Sequence, residues 1–447
     1  MYSVFKITPT TQKYDWGKVG RQSAVAQLAE SGNHDGFTLD PAASYAELWM
    51  GTHPTAPSHL ASTNEQLSTY LAKHPDLIGQ KIREKFASAG AEDGNLPFLF
   101  KVLSIEKALS IQTHPDLETA KKLHAEQPDV YKDPNHKPEM ALALTSFQAL
   151  CGFLPLPLIA THLQNVPEFA SLVPSAIVDA FLAIASSETP TAQTEKVALK
   201  NLFAGVMTAE PEMVKCKLGE LVERLTAKQG SSGEGDQTQN VAEVERTGLS
   251  EIDSLILRLN TQFPGDVGIF CAFLLNYITL QPGEAIFLGA GEPHAYIYGD
   301  CMECMANSDN VIRAGLTPKL RDIPNLVSGL TYIAAPPEVH VVKPAPFGGE
   351  GPSAGSTTTL YDPPIPEFSV LRTVFSKDEK TARHRAIDGP SILILVKGRA
   401  TVSWDGNGNE SAERGDVFFV GAGTEVALDP KGEDEVEVYR AFVESEH

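Results

Sequence analysis

The chain is poor in cysteine and in positive charge, and it has no long apolar run. Its five cysteines, Cys151, Cys216, Cys271, Cys301 and Cys304, are too few and too oddly numbered for a disulfide framework in 447 residues. They point to a reducing compartment, and the cytosol is the expected location. No stretch approaches the roughly 18 apolar residues of a membrane span. The opening MYSVFKITPTTQKYDWG lacks the basic-then-apolar order of a signal peptide. With 57 acidic against 36 basic residues, the formal net charge is −21. That argues against nucleic acid or an anionic membrane as a partner. Neither a phosphate-binding GxxxxGK[ST] loop nor a GxGxxG turn is present, so a nucleotide is not indicated.

At about 150 residues per domain, the length suggests about three structural units. Helical spacing marks 64–87, 196–226 and 250–261; in the last, Ile252, Leu255, Ile256 and Leu259 recur at i, i+3, i+4, i+7. The stretch 156–263 reads as one helical insert. Elsewhere short apolar runs bounded by Gly and Pro read as strands: FLFKVLSI, CAFLLNYITL, EAIFLGA, SILILVKG, ATVSW and DVFFVGA. Two stretches rich in small and polar residues, Lys228–Asn240 and Lys343–Thr359, read as irregular insertions.

The sequence also echoes itself. GEAIFLGAG (283–291) and GDVFFVGAG (415–423) match at five of nine positions, each a strand running into a glycine-rich turn. Two copies of one small double-sheet barrel are expected. Three residues beyond the first copy stands His294; at the same distance beyond the second stands Val426. The second unit is therefore expected to carry no metal ligand.

Three clusters could do chemistry. In SIQTHPD, Gln112 and His114 lie two apart and would share one face of a strand. In DPNHKPEM, Lys137 and Glu139 are related in the same way, with His136 facing the other side. The third segment, GEPHAYIYGDCMECMANSDNVIRAGLTPK, contributes His294, Glu303, Arg313 and Lys319. Two His, one Glu and one neutral Gln make a zinc-type ligand set, the Gln keeping the metal strongly Lewis-acidic. Any one of these His residues, taken alone, reads as a hydrogen-bonded core side chain. The Cys301–Cys304 CxxC has no second pair for a structural zinc and no βαβ context for redox work. Lys101, Lys137, Arg313 and Lys319 form the cationic set that an anionic ligand would need in so acidic a chain.

At these residues the sequence resembles type I phosphomannose isomerase, a family of cupin-fold enzymes. The likeness runs through YDWG (14–17), AELWMGTHPTAPS (46–58), LPFLFKVLSIEKALSIQTHPD (96–116), NHKPEMALAL (135–144) and GEPHAYIYGDCMECMANSDNVIRAGLTPK (291–319). The resemblance implies a mainly β fold: cupin-type double-sheet barrels plus an α-helical domain. The expected division is 1–155 and 264–340 for the catalytic barrel, 156–263 for the insert, 341–359 for a linker, and 360–447 for a second barrel. It implies one zinc ion per chain held by Gln112, His114, Glu139 and His294. Arg313 is implied as a catalytic residue, and Lys137 and Glu303 as pocket residues. The activity implied is interconversion of mannose 6-phosphate and fructose 6-phosphate through a cis-enediol(ate), by a monomer supplying GDP-mannose synthesis. Charge and neighbourhood add Lys101, Ser110 and Lys319 as candidate phosphate contacts. The base stays open between Lys137, Glu303 and His136. The alternatives are a metal-dependent cupin oxygenase and a sugar-binding cupin without turnover.

Overall fold

The computed structural model describes residues 3–230, 249–347, 358–375, 381–406, 408–432 and 434–446. Most of both expected irregular insertions, 231–248 and 348–357, lies outside the described residues. The rest is two β units, a helical insert, and a core that joins them.

The first unit is built on the strand His294–Ala306, which pairs antiparallel with four others: Phe147–Phe153, Ile111–Thr113, Phe98–Ile105 and Glu139–Ala143. One strand reaches so many partners because it turns a corner at Gly299. That residue has φ +112°, and a Cβ there would sit 2.5 Å from the Ser146 carbonyl oxygen. Leu275–Leu280 and Glu47–Met50 extend the sheet on either side. Every residue of Phe98–Ile105 is buried, as expected of a strand covered on both faces. Lys101, Leu103 and Ile105 face the barrel interior with Ala141 and Cys301, whereas Phe100 and Val102 face outward with Leu142 and Cys304.

The outward face packs on the second unit. Phe100, Val102, Met140, Leu142 and Met302 share one apolar core with Ile392, Ile394, Phe419, Tyr439 and Ala441. Those five belong to an eight-stranded sheet whose centre is Ser369–Val374, Glu437–Phe442, Ser391–Lys397 and Val417–Val420. A four-stranded sheet, Ala382–His384, Val426–Pro430, Arg399–Trp404 and Gly408–Glu413, closes the second barrel. The N-terminal strand Val4–Thr8 hydrogen-bonds here, Val4 opposite Val420. Its other ladder partner is His59–Leu60. The chain changes sheet at Pro9, and Thr10–Gln12 then pairs with Glu47–Met50. A proline suits that point because it has no N–H to offer either ladder.

The repeat is also a backbone repeat. Gly283 and Gly415 have φ of 91° and 93°, and Gly291 and Gly423 have 74° and 77°. Each pair flanks a strand, Ala285–Leu288 or Val417–Val420, and the next strand opens at His294 or Val426.

Among the described residues the insert holds six helices: Leu156–Asn165, Pro167–Ala170, Ser175–Ala185, Ala192–Met207, Pro211–Gly230 and Glu251–Gln262. The last begins with a reciprocal cap between Ser250 and Asp253, and buries Leu255, Ile256 and Leu259. These side chains and Leu199, Leu202, Phe203 and Phe270 pack against Leu150, Ala295 and Ile312 of the first barrel. The described part of the expected linker also bridges. Val342 N–H donates to the Ala285 carbonyl (2.9 Å), and Ala345–Pro346 pairs with Thr358–Tyr361.

Candidate active site and metal centre

The sheet register sets the first feature of the site. Gln112 lies opposite His294 on one side and Arg313 on the other. Opposite residues of an antiparallel pair share a face, so His294, Gln112 and Arg313 form a row across three strands. His114 is two residues beyond Gln112, and Glu139 opens the neighbouring strand opposite Met305.

His114, Glu139 and His294 converge, all 0% exposed. His294 Nε2 lies 2.9 Å from Glu139 Oε1, and His114 Nε2 lies 3.4 Å from Glu139 Oε2. The other ring nitrogens are occupied: His114 Nδ1 donates to the Asn310 carbonyl (2.7 Å) and His294 Nδ1 to the Glu292 carbonyl (2.9 Å). A neutral imidazole with its proton on Nδ1 presents a bare lone pair at Nε2. Burial first, then the Lys137 charge, lowers the His114 pKa to about 4, which keeps the ring neutral. Burial alone would raise the proton affinity of Glu139, but the Lys137 ammonium beside it holds it well below the usual carboxylate range. Lone pairs therefore face lone pairs in a site without water access. Both Nε2 atoms and Glu139 Oε2 lack a hydrogen-bond partner.

Such an arrangement is repulsive unless a cation lies between the atoms. Two ligands at about 2.05 Å from one tetrahedral zinc stand about 3.3 Å apart, close to the spacing here. The donor set fits a divalent zinc-type ion. His114, Glu139 and His294 are the one such group among the described residues.

Around this centre the sequence candidates separate. Lys137 Nζ is 3.2 Å from Glu139 Oε2, on an extended stretch held by Pro138. Arg313 is half-buried, and its guanidinium makes no hydrogen bond or ion pair among the described residues; burial lowers its pKa. Glu303 is buried in the barrel wall opposite Lys101, and burial foremost raises its pKa, with Lys101 opposing. Lys101 is not a free cation: its Nζ lies 3.0 Å from Glu303 Oε2 and 3.7 Å from Glu47 Oε2. Ser110 is half-exposed just before Ile111–Thr113, and Lys319 is exposed beyond Ile312–Gly315. His136 turns away from the centre and bonds Glu367 of the second unit (2.5 Å). Cys301 and Cys304 are both free and buried. Spaced i and i+3 on one strand, they face opposite sides, so their sulfurs do not meet.

Several members were not singled out from sequence. Tyr296, two residues after His294 on the same face, donates its hydroxyl to Glu139 Oε1 (3.1 Å). Trp49 donates its indole N–H to Glu47 and lies beneath Lys101 Nζ, 4.7 Å from the ring centre. His53 pairs with Asp309 at 3.3 Å. The i, i+2 spacing of Glu47–Trp49 and His294–Tyr296 was the available signal.

Comparison with known proteins accords with this geometry. Residues 4–156 match the family model of the phosphomannose isomerase type I catalytic domain, 177–275 that of its helical insertion domain, and 359–407 that of its C-terminal part. Mannose-6-phosphate isomerase of Cryptococcus neoformans var. neoformans serotype D is 50% identical over 460 residues, spanning 99% of each chain. The Saccharomyces cerevisiae enzyme of that name is 43% identical over 448 residues, again 99% of each. A crystal structure of mannose 6-phosphate isomerase with zinc and yttrium superposes with a TM-score of 0.78 at 28% identity, covering 99% of this chain and 100% of that one. The Salmonella typhimurium enzyme, bound to substrate and zinc, gives 0.77 at 28% identity with the same coverage. The chain belongs to the type I phosphomannose isomerase family.

Proposed function

We propose that the chain is a zinc-dependent aldose–ketose isomerase that interconverts mannose 6-phosphate and fructose 6-phosphate. The observation that carries this reading is the trio His114, Glu139 and His294, with bare nitrogens aimed at a carboxylate beside Arg313, which is unpartnered among the described residues. Gln112, from the same face, completes the ligand set. Zinc bound there would supply Lewis acidity toward the sugar oxygens at C1 and C2.

The reaction moves a proton between C2 and C1 through a cis-enediol(ate). Glu303 is the group that takes up and returns the proton; its raised pKa brings it nearer neutrality, as a proton carrier needs. Lys101, itself paired with Glu47, holds that carboxylate in one orientation. Arg313 stabilises the negative charge that develops on the enediolate oxygens. Lys137 adds positive charge on the other side of Glu139. His136 has no part in the proton transfer, since Glu367 engages its ring. For the phosphate, Ser110 and Lys319 with help from Arg313 are the assigned contacts. Lys101, already held by two carboxylates, serves as their counter-ion.

The same reading gives one zinc per chain and a cytosolic monomer whose mannose 6-phosphate serves GDP-mannose synthesis. No helix among the described residues is long and apolar enough to cross a membrane.

The test is a coupled assay of fructose 6-phosphate formation from mannose 6-phosphate, run with and without oxygen. Oxygen-independent turnover is expected. A folded, zinc-loaded sample with no turnover overturns the proposal, and product formed only with oxygen favours an oxygenase.

A further inference from the structure

One carboxylate joins the segment that carries Asn310 to the segment that leads to Glu139. Asp133 Oδ1 accepts from the Ser308 hydroxyl (2.8 Å) and from the Asn135 N–H (2.9 Å). Its Oδ2 accepts from the Asp309 N–H (2.8 Å). The Asn310 side-chain amide returns across the gap, donating to the carbonyls of Asp133 (2.7 Å) and Asn135 (2.8 Å). Asn135 Nδ2 reaches the Asn307 carbonyl (3.2 Å), and Ala306 N–H donates to the Pro138 carbonyl (3.0 Å). Ser308 and Asn310 are buried.

This network ends on the site from both sides. The Asn310 carbonyl is the acceptor that keeps the proton of His114 on Nδ1. The other segment runs from Asn135 through Lys137 to Glu139. Without the Asp133 carboxylate, the Ser308 hydroxyl and the Asp309 N–H lose their acceptor, so the 308–310 segment that aims the Asn310 carbonyl loosens and the His114 ring can turn. In the other tautomer its Nε2 carries a proton and cannot bind a cation.

We infer that Asp133 is a positioning residue: through Asn310 and the 135–139 segment, its carboxylate sets the affinity of the His114–Glu139–His294 centre for its metal. The inference rests on the zinc reading above. Outer partners of metal ligands typically change metal affinity by about 10- to 100-fold when removed.

The test uses the full chain, stripped of metal by dialysis, with zinc affinity measured by competition against a chromophoric chelator. Thermal unfolding of the zinc-free proteins is followed in parallel. Asp133→Ala is expected to bind zinc about 10- to 100-fold more weakly than the natural chain. Asp133→Asn, which keeps one acceptor oxygen, falls between the two, and Ser308→Ala weakens binding in the same direction. Unchanged zinc affinity in Asp133→Ala overturns the inference, and so does a lowered zinc-free melting temperature with unchanged affinity, which marks a loop staple only. If Asp133→Ala does not fold, Asp133→Asn and Ser308→Ala decide, and natural affinity in both overturns it. If the natural chain itself takes up no zinc, the metal reading fails instead.

Discussion

Lys101 Nζ stands 3.0 Å from Glu303 Oε2, directly across the antiparallel pair Phe98–Ile105 and His294–Ala306. Both side chains are buried, and Glu47 approaches the same ammonium from the far side at 3.7 Å. Removing the lysine leaves two carboxylates facing each other in the barrel wall. Breaking a buried pair from one side costs about 3–5 kcal/mol. Lys101→Met is therefore expected to lower the melting temperature, with Lys101→Met/Glu303→Gln recovering much of the loss. A Lys101→Met protein of unchanged stability, with KM raised only for phosphorylated sugar, would show that Lys101 grips phosphate instead.

Arg313 and Lys319 separate by kinetics. Arg313 is half-buried opposite Gln112, and in the proposed mechanism its loss removes charge stabilisation needed in the transition state. Arg313→Ala should lower kcat by about 10²–10³-fold, the usual cost of one such donor. Lys319 is exposed. Lys319→Ala should raise KM for mannose 6-phosphate with kcat nearly unchanged, and leave turnover of unphosphorylated mannose alone. An equal rise in KM for both sugars contradicts the phosphate role.

The second barrel carries its own pH signature. His384 is wholly buried, with Nε2 3.0 Å from the Thr373 hydroxyl, and burial first, then Arg440, lowers its pKa to about 3. A folded pKa below the ordinary 6.5 means that the neutral ring is favoured in the fold. Its stabilising contribution is complete above pH 6.5 and is lost as pH falls from there toward 3. Chemical unfolding of metal-free protein should show a shallower loss of stability over that range in His384→Gln than in the natural chain. Parallel curves contradict the assignment.

Much of the architecture was readable because the strands are short apolar runs between glycines, and the echo at 283–291 and 415–423 carries the same backbone angles in both copies. The i, i+2 spacing of Gln112 and His114 was readable as a shared strand face, while the candidate ligand set as a whole was implied only by the family resemblance. What could not be read were relationships between distant segments. Nothing in VFKIT says that it will pair with Val417–Val420 across some 400 residues. Lys101 looked like a free cation because Glu303 and Glu47 lie 202 and 54 positions away. The role inferred for Asp133 has the same origin: Ser308 and Asp309, which donate to its carboxylate, lie 175 and 176 positions away.

The central claim is tested most directly by measuring metal content and isomerisation rate on one sample as zinc is removed and restored. The account predicts that the rate falls with the metal and returns in proportion to zinc, reaching its full value at one ion per chain. Mannose 6-phosphate turning over at the full rate in protein shown to be metal-free would contradict it.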